Sequence, residues 1–373
     1  MTSKEKAQEI LAKAGITING PHAYDIQVHD ERVYDRVLSG GSMGLGESYM
    51  DGWWDADDLE AFFYKIFAAH LERAILPMSM VWNIAKAMVF NFQNKDRAKI
   101  VGEKHYDVGN DLYERMLDKR MVYTCGYWSS PTMPAKDLDD AQEQKLDLVC
   151  RKIGLKAGQT VLDIGCGWGS FAKFAAEKYG AKVVGITISK EQAALARERC
   201  KGLDVEIRFE DYRDTTGTFD HVVSLGMFEH VGPKNYRTYF TKVRSLLKDD
   251  GIFLLHTIGE SLSHYAGDAW VDKYIFPGGV LPSPAFVGKA IDGVFTIEDW
   301  HNFGPDYNKT LLAWAHNFEA RWPEIKDQYS ERFYRMWRYY LHICAALFRA
   351  RTTHLWQIVL SKDGIPGGYK TVR

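Results

Sequence analysis

TVLDIGCGWGSFAKFAA, residues 160–176, reads as a strand, a tight turn and a helix in succession. Thr160 to Ile164 is short and apolar, the composition of a strand buried on both faces. Gly165, Gly167 and Gly169 then remove three side chains from the turn, which lets backbone approach a ligand closely. The helix that follows turns its unpaired N–H groups toward the same place, where an anionic group such as a carboxylate is favoured. The spacing is G-x-G-x-G after Asp163, whereas the dinucleotide fingerprint is G-x-G-x-x-G.

Outward from this turn, strands and helices alternate, which points to a parallel sheet with helices on both faces. Seven strands are expected at Thr160 to Ile164, Lys182 to Ile186, Val205 to Phe209, Phe219 to Leu225, Ile252 to His256, Val294 to Trp300 and Leu355 to Ser361. Helices are expected at about Phe171 to Lys178, Lys190 to Cys200, Tyr236 to Leu247, Leu311 to Ala320 and Tyr329 to Ala350. The fold class is therefore α/β, a Rossmann-like, mostly parallel seven-stranded sheet.

The residues before it read differently. Short amphipathic helices at Lys4 to Ala14 and Asp58 to Leu71 flank a possible strand at Ile26 to Val28, and no parallel-strand run appears. SMGLGESYMDGWW (42–54) is punctuated by glycines, and its Trp53 and Trp54 need either a small aromatic core or a lipid partner. PMSMVWNIAKAMVFNF (77–92) carries one charge, Lys86, and is followed by Lys95, Arg97, Lys99 and Lys104. Such a segment suits a bilayer surface, with apolar side chains inserted and basic groups at phosphates, and it equally suits an interdomain helix. The expected division is an N-terminal lipid-handling domain, 1–90, a linker, 91–104, and a catalytic domain, 105–373.

Composition excludes several classes. The 47 basic and 49 acidic residues nearly cancel, so no global field draws the protein to nucleic acid, and membrane contact must be local. Five scattered cysteines without a CxxC pair favour neither a disulfide framework nor structural zinc, and the twelve histidines form no HExxH motif. No metal is expected, and a reducing, cytoplasmic setting fits. The N-terminus lacks a signal-peptide core, and nowhere do about 18 apolar residues run unbroken.

The glycine turn after Asp163 resembles the first motif of class I methyltransferases, where it cradles the methionine end of S-adenosylmethionine. At the second strand's end, where an acid commonly holds ribose hydroxyls, stand Thr187, Ser189 and Gln192, which can also hydrogen-bond a ribose. Asp211 and Tyr212, in EDYRD after the third strand, lie where an adenine edge would be, with a helix cap or turn residue as the lesser reading of Asp211.

Taken in order, GLGESYMDGWW, HYDVGNDLYERML, YTCGYW, LDIGCGWG, GITISKEQ, DYRD, SLGMFEHVGPKNY, LLHTIG, KYIFPGG, LPS and EDWHNFGPDYNKTLLAW resemble the cyclopropane-fatty-acyl-phospholipid synthases, in the mycolic acid cyclopropane synthase superfamily. The chain end, KDGIPGGYKTVR, departs from the family's wording. The resemblance implies a class I methyltransferase domain with a smaller, mainly helical N-terminal domain, a homodimer working at the inner membrane face on unsaturated phospholipids. It implies cofactor contacts at Tyr123, Thr124, Gly165, Gly167, Gly169, Thr187, Gln192, Asp211 and Tyr212. Cys125, Glu229, His256, Ile258 and Tyr307 match residues that hold a bicarbonate ion at the reaction centre, and Cys344 matches a cysteine once proposed as a nucleophile.

That chemistry suits these residue types. An isolated alkene is a poor nucleophile and must be held in line with the sulfonium methyl without water. The resulting cation favours aromatic faces, for which Tyr123, Tyr127, Trp128, Phe228 and Tyr307 are candidates, though each also reads as core. Ring closure needs a base, and an exchangeable anion avoids alkylating a protein carboxylate. FEH (228–230) and LLH (254–256) close predicted strands at the end where open sheets bind ligands, although Glu229 also reads as a cap and His256 as a core histidine. Two other readings stand: a fatty-acyl or small-molecule methyltransferase that stops at a methyl branch, and a non-catalytic lipid carrier on a cofactor fold.

Overall fold

The computed structural model describes residues 1–71 and 109–373, so the segment 77–92, the basic cluster at 95–104 and the 91–104 linker lie outside the described residues. The described residues form two compact units, one of 1–71, 266–277 and 307–353, the other of 109–265, 278–306 and 354–373. Among the described residues no helix is long and apolar enough to cross a membrane.

In the first unit, Thr2 and Glu5 form a reciprocal capping box that starts α1, Ser3–Ala12. β1, Gln27–Val28, pairs antiparallel with β2, Trp54–Asp55. Between them α2, Arg32–Met50, runs through the glycines that the sequence reading takes as punctuation, bending at Gly41. The reason is packing. A side chain at Gly46 would meet the indole of Trp270 at 2.3 Å, so the glycine lets Trp270 close on the helix. α3, Leu59–Ala68, then delivers Phe62 and Phe63 to Trp54 at ring distances of 5.1 and 6.4 Å. Tyr339, on a helix spanning Glu331–Arg349, joins them, 5.0 Å from Phe63 and 4.5 Å from Trp270. Trp54 is thus core. Trp53 instead lies under the guanidinium groups of Arg32 and Arg36, at 4.5 and 4.6 Å.

The second unit carries a seven-stranded sheet: β3, Thr160–Ile164; β4, Lys182–Thr187; β5, Val205–Phe209; β6, Phe219–Leu225; β7, Leu247–Glu260; β8, Thr296–Asn302; β9, Thr353–Ser361. Their order is β5-β4-β3-β6-β7-β9-β8, with β3, β4, β5, β6 and β7 parallel to their neighbours in that run and β8 antiparallel to β9. Each expected strand is present within a few residues. β7 is the largest difference: it begins at Leu247, opposite Phe219, because an irregularity absorbs the polar residues before Ile252. It then runs past His256 to Glu260. The helices Leu138–Lys152, capped by Asp137, and Pro284–Ile291, capped by Ser283 with proline in the first turn, are further elements outside the expected set.

Leu254, Val223 and Val359 point into one apolar cluster, and Phe253, Leu255 and Ile358 into another on the opposite face. Both faces are covered, which is why the strands read as near-continuous apolar runs. The chain leaves β3 for β4 on one side and returns to β6 on the other, so the crevice for a ligand opens beyond the carboxyl ends of β3 and β6.

Candidate active site

At that crevice Gly165, Gly167 and Gly169 all have positive φ, at 82°, 55° and 76°. The N–H groups of Gly165 and Cys166 both donate to the Ile186 carbonyl at 3.0 Å, tying the turn to β4. A side chain on Gly165 would strike Met227 at 2.7 Å, whereas one on Gly167 would meet nothing within 4 Å. Gly165 therefore serves the fold, and Gly167 leaves an open floor. Below it Asp163 is buried, and its Oδ2 has no hydrogen-bond partner among the described residues. Burial pushes its carboxyl up to about 7.

Around the floor the other candidate cofactor contacts take fixed positions. The Thr187 hydroxyl is 2.9 Å from Gln192 Oε1, to which it donates, and Ser189 caps the following helix by accepting from the Gln192 N–H. Asp211 accepts from Arg213 Nε and Nη2, both at 2.7 Å, while Tyr212 packs edge-on against Tyr239 at 5.1 Å. The Asp211 carboxylate therefore arrives already oriented by a guanidinium. Tyr123 packs on Tyr113 at 5.1 Å, and Tyr113 in turn on Trp168, next to the glycine turn, at 4.8 Å.

Thr124 is held twice from the helix Leu138–Lys152. Gln142 Nε2 donates to its carbonyl at 2.7 Å, and Lys145 Nζ to its hydroxyl at 2.6 Å. Lys145 is fully buried, and burial lowers its ammonium to about 8 despite the pull of Asp118, Cys125 and Asp163. Sequence reading missed both residues. Their signal was a lysine and a glutamine three apart, on the face of a helix that also buries Leu138, Leu146 and Val149. Asp306, also missed, accepts from the N–H groups of Trp128 and Ser129 at 2.7 and 2.9 Å and from the Ser129 hydroxyl. The YTCGYW strip is thereby pinned at both ends.

Glu229 sits on a short 3-10 turn, Phe228–His230, just beyond β6 rather than closing it. Its Oε1 accepts from the Ile258 N–H at 2.7 Å, and its Oε2 has no partner among the described residues. Burial pushes this carboxyl up to about 7. His256 is mid-strand in β7, level with Leu225 at the end of β6. Its Nδ1 lies 3.3 Å from Gln357 Nε2, its Nε2 is buried without a partner among the described residues, and burial drives its pKa well below the usual range. The ring is a neutral imidazole. Glu229 is thus bonded to β7 two residues beyond His256. Cys125 is also fully buried, its Sγ 3.1 Å from the Gly126 carbonyl.

Packing holds the remaining candidates. Phe228 stacks on Tyr236 at 4.3 Å inside the core, so packing accounts for it. Tyr127 packs on Phe303 at 5.2 Å. Tyr307 belongs to the first unit, where it stacks on Phe348 at 4.5 Å. Cys344 lies in that unit's helix Glu331–Arg349, and burial pushes its thiol up to about 12. A thiol kept protonated is a poor nucleophile.

Comparison with known proteins identifies the family. Residues 93–358 match the family described as mycolic acid cyclopropane synthetase. The chain is 53% identical to the cyclopropane-fatty-acyl-phospholipid synthase of Escherichia coli strain K12 across 98% of this chain and 95% of that protein. It is 40% identical to a probable fatty acid methyltransferase of Pseudomonas putida across 70% of this chain and 69% of that one. Among solved structures, mycolic acid cyclopropane synthase CmaA1, crystallised with SAH and CTAB, aligns with a TM-score of 0.66 at 32% identity, covering 71% of this chain and 98% of that one. The seven-stranded sheet is that of the S-adenosylmethionine methyltransferases. On sequence and fold together, this chain belongs to the mycolic acid cyclopropane synthetase family.

Proposed function

We propose that this chain is a cyclopropane-fatty-acyl-phospholipid synthase, which uses S-adenosylmethionine to build cyclopropane rings on cis double bonds of phospholipid acyl chains. The observation that carries the reading is the 53% identity with a synthase of that name over nearly the full length of both chains. The residues suit the donor: Gly167 leaves open space where a side chain would stand, and the polar groups of Thr187, Gln192, Asp211, Tyr212, Tyr123 and Thr124 are of the kinds that hydrogen-bond such a cofactor. When bound, S-adenosylmethionine supplies an electrophilic methyl group.

The reaction leaves positive charge on the substrate carbon next to the one that gains the methyl. Cys125, Glu229, His256, Ile258 and Tyr307 are proposed to hold a bicarbonate ion, which would supply a base that alkylation cannot disable. The buried, unpartnered atoms of Glu229 and His256 fit such an ion, because a buried polar atom is costly until something pairs with it. Glu229 Oε2 can accept from a hydroxyl of the ion, while Oε1, fixed by the Ile258 N–H, keeps the carboxylate from swinging toward the cation. Burial of this centre excludes water, which would otherwise quench the cation.

The chain is further proposed to work as a homodimer on the cytoplasmic membrane face, with residues 1–90 handling lipid and the basic cluster at 95–104 meeting headgroups. The second reading, methyl transfer without ring closure, is favoured by the Pseudomonas putida relative. Incubating purified protein with labelled S-adenosylmethionine and unsaturated phospholipid vesicles, then analysing the esters by mass spectrometry against cyclopropane and branched standards, decides between them. Label in a branched ester would replace the synthase reading, and no label in lipid would end both.

A further inference from the structure

Within β9 the run Leu355–Leu360 is apolar except at Gln357, which stands between Trp356 and Ile358 and is fully buried. A buried amide is costly unless hydrogen-bonded, so a glutamine in the middle of a packed strand needs a reason. Strand alternation turns Gln357 to the same face as Val359, and His256 to the same face as Leu254; Val359 and Leu254 share one apolar cluster. The two polar side chains therefore meet beside that apolar cluster, Gln357 Nε2 to His256 Nδ1 at 3.3 Å.

We propose that Gln357 is a positioning residue that fixes the tautomer of His256. The amide nitrogen can only donate, so Nδ1 accepts and the ring proton resides on Nε2. Nε2 is the nitrogen that is buried without a partner among the described residues. His256 thus presents an N–H donor for an anion instead of a lone pair for a proton. With the amide reversed, Nδ1 would donate to the glutamine oxygen and Nε2 would become a basic lone pair, the opposite chemistry. The inference rests on the proposed role of His256 in holding an anion at the reaction centre, and it assigns the proton transfer to the ion and not to the ring.

The test uses the full chain labelled with 15N-histidine, with the His256 signals identified by their loss in His256→Gln. Long-range proton–nitrogen spectra distinguish the two neutral tautomers directly. The expected wild-type spectrum is the Nε2–H form throughout pH 6–9, roughly the range in which an unshifted histidine titrates or lies neutral. Gln357→Glu, which keeps the shape and, once ionised at the upper end of that pH range, can only accept, should there move the proton to Nδ1 and lower kcat about 10²-fold, while S-adenosylmethionine affinity stays within about twofold. Gln357→Met, of similar volume, should give a mixture of tautomers and an intermediate kcat. An Nδ1–H wild-type spectrum overturns the proposal, as does a Gln357→Glu enzyme with unchanged kcat. If the wild type makes no lipid product, the functional reading fails, and the tautomer spectrum still decides the role of Gln357.

Discussion

Replacing Glu229 by Gln should make the protein more stable and less active, with the gain in stability appearing only above acidic pH. Burial lifts the Glu229 carboxyl from its ordinary 4.5 to about 7, with the Ile258 N–H only partly offsetting it. For an acid whose folded pKa is raised, the folded state resists ionisation. Below about 4.5 the group is protonated in both states and contributes no penalty. As pH rises to about 7 the unfolded chain ionises and the folded one does not, so stability is lost across that window and stays lost above it. At about 1.4 kcal/mol per tenfold change in proton affinity, the full loss is about 3 kcal/mol. Gln carries no such penalty, and its carbonyl can still accept from Ile258. The Glu229→Gln protein should therefore melt at about the wild-type temperature near pH 4.5 and roughly 4 °C higher at pH 8. Thermal melts at the two pH values, beside turnover at pH 8, provide the assay, with kcat expected to fall about 10²-fold or more. A melting difference that does not change with pH would refute the buried-carboxylate argument, whatever happens to turnover.

Gly167→Ala should cost only the about 1–2 kcal/mol of a left-handed backbone and yet weaken S-adenosylmethionine binding roughly tenfold by calorimetry, because its methyl enters open floor. Gly165→Ala should cost more stability, since its methyl strikes Met227 at 2.7 Å, and equal melting temperatures for the two variants would contradict that division of labour. Cys344→Ala should retain wild-type turnover, because its half-buried thiol is held protonated; a hundredfold loss without unfolding would restore it as a candidate. Changing Lys95, Arg97 and Lys99 together to Gln should weaken sedimentation with anionic vesicles roughly hundredfold at low salt and leave neutral vesicles unaffected, and equal binding would remove that patch from membrane docking.

Periodicity exposed the sheet well because its strands are buried on both faces and therefore unbroken in hydropathy. It failed where tertiary contact overrides local preference. Four glycines between Gly40 and Gly46 argue against helix by propensity, and at Gly41 the backbone does leave helical geometry; helix resumes beyond it and carries Gly46, where a side chain would strike Trp270. The helix Leu138–Lys152 escaped notice because its inward face mixes Gln142 and Lys145 with its leucines, and those two polar residues are the ones that hold Thr124. In the site itself, Glu229 and His256 stand out as polar residues just after apolar runs, although Glu229 lies beyond β6 and His256 inside β7. Gln357, Asp306 and Lys145 act through other residues and carry no motif of their own, so only coordinates reveal them.

The extension of β7 beyond His256 has a kinetic meaning. A histidine at a frayed strand end can rock with its loop, but one flanked on both sides by paired backbone moves only if the sheet opens. The Gly226 N–H, bonded to the His256 carbonyl at 2.9 Å, adds a further tether. Amide exchange at residues 254–257 should accordingly be among the slowest in the chain, and entry and exit of the bulky, flexible acyl tail must be accommodated by elements other than the one bearing the imidazole.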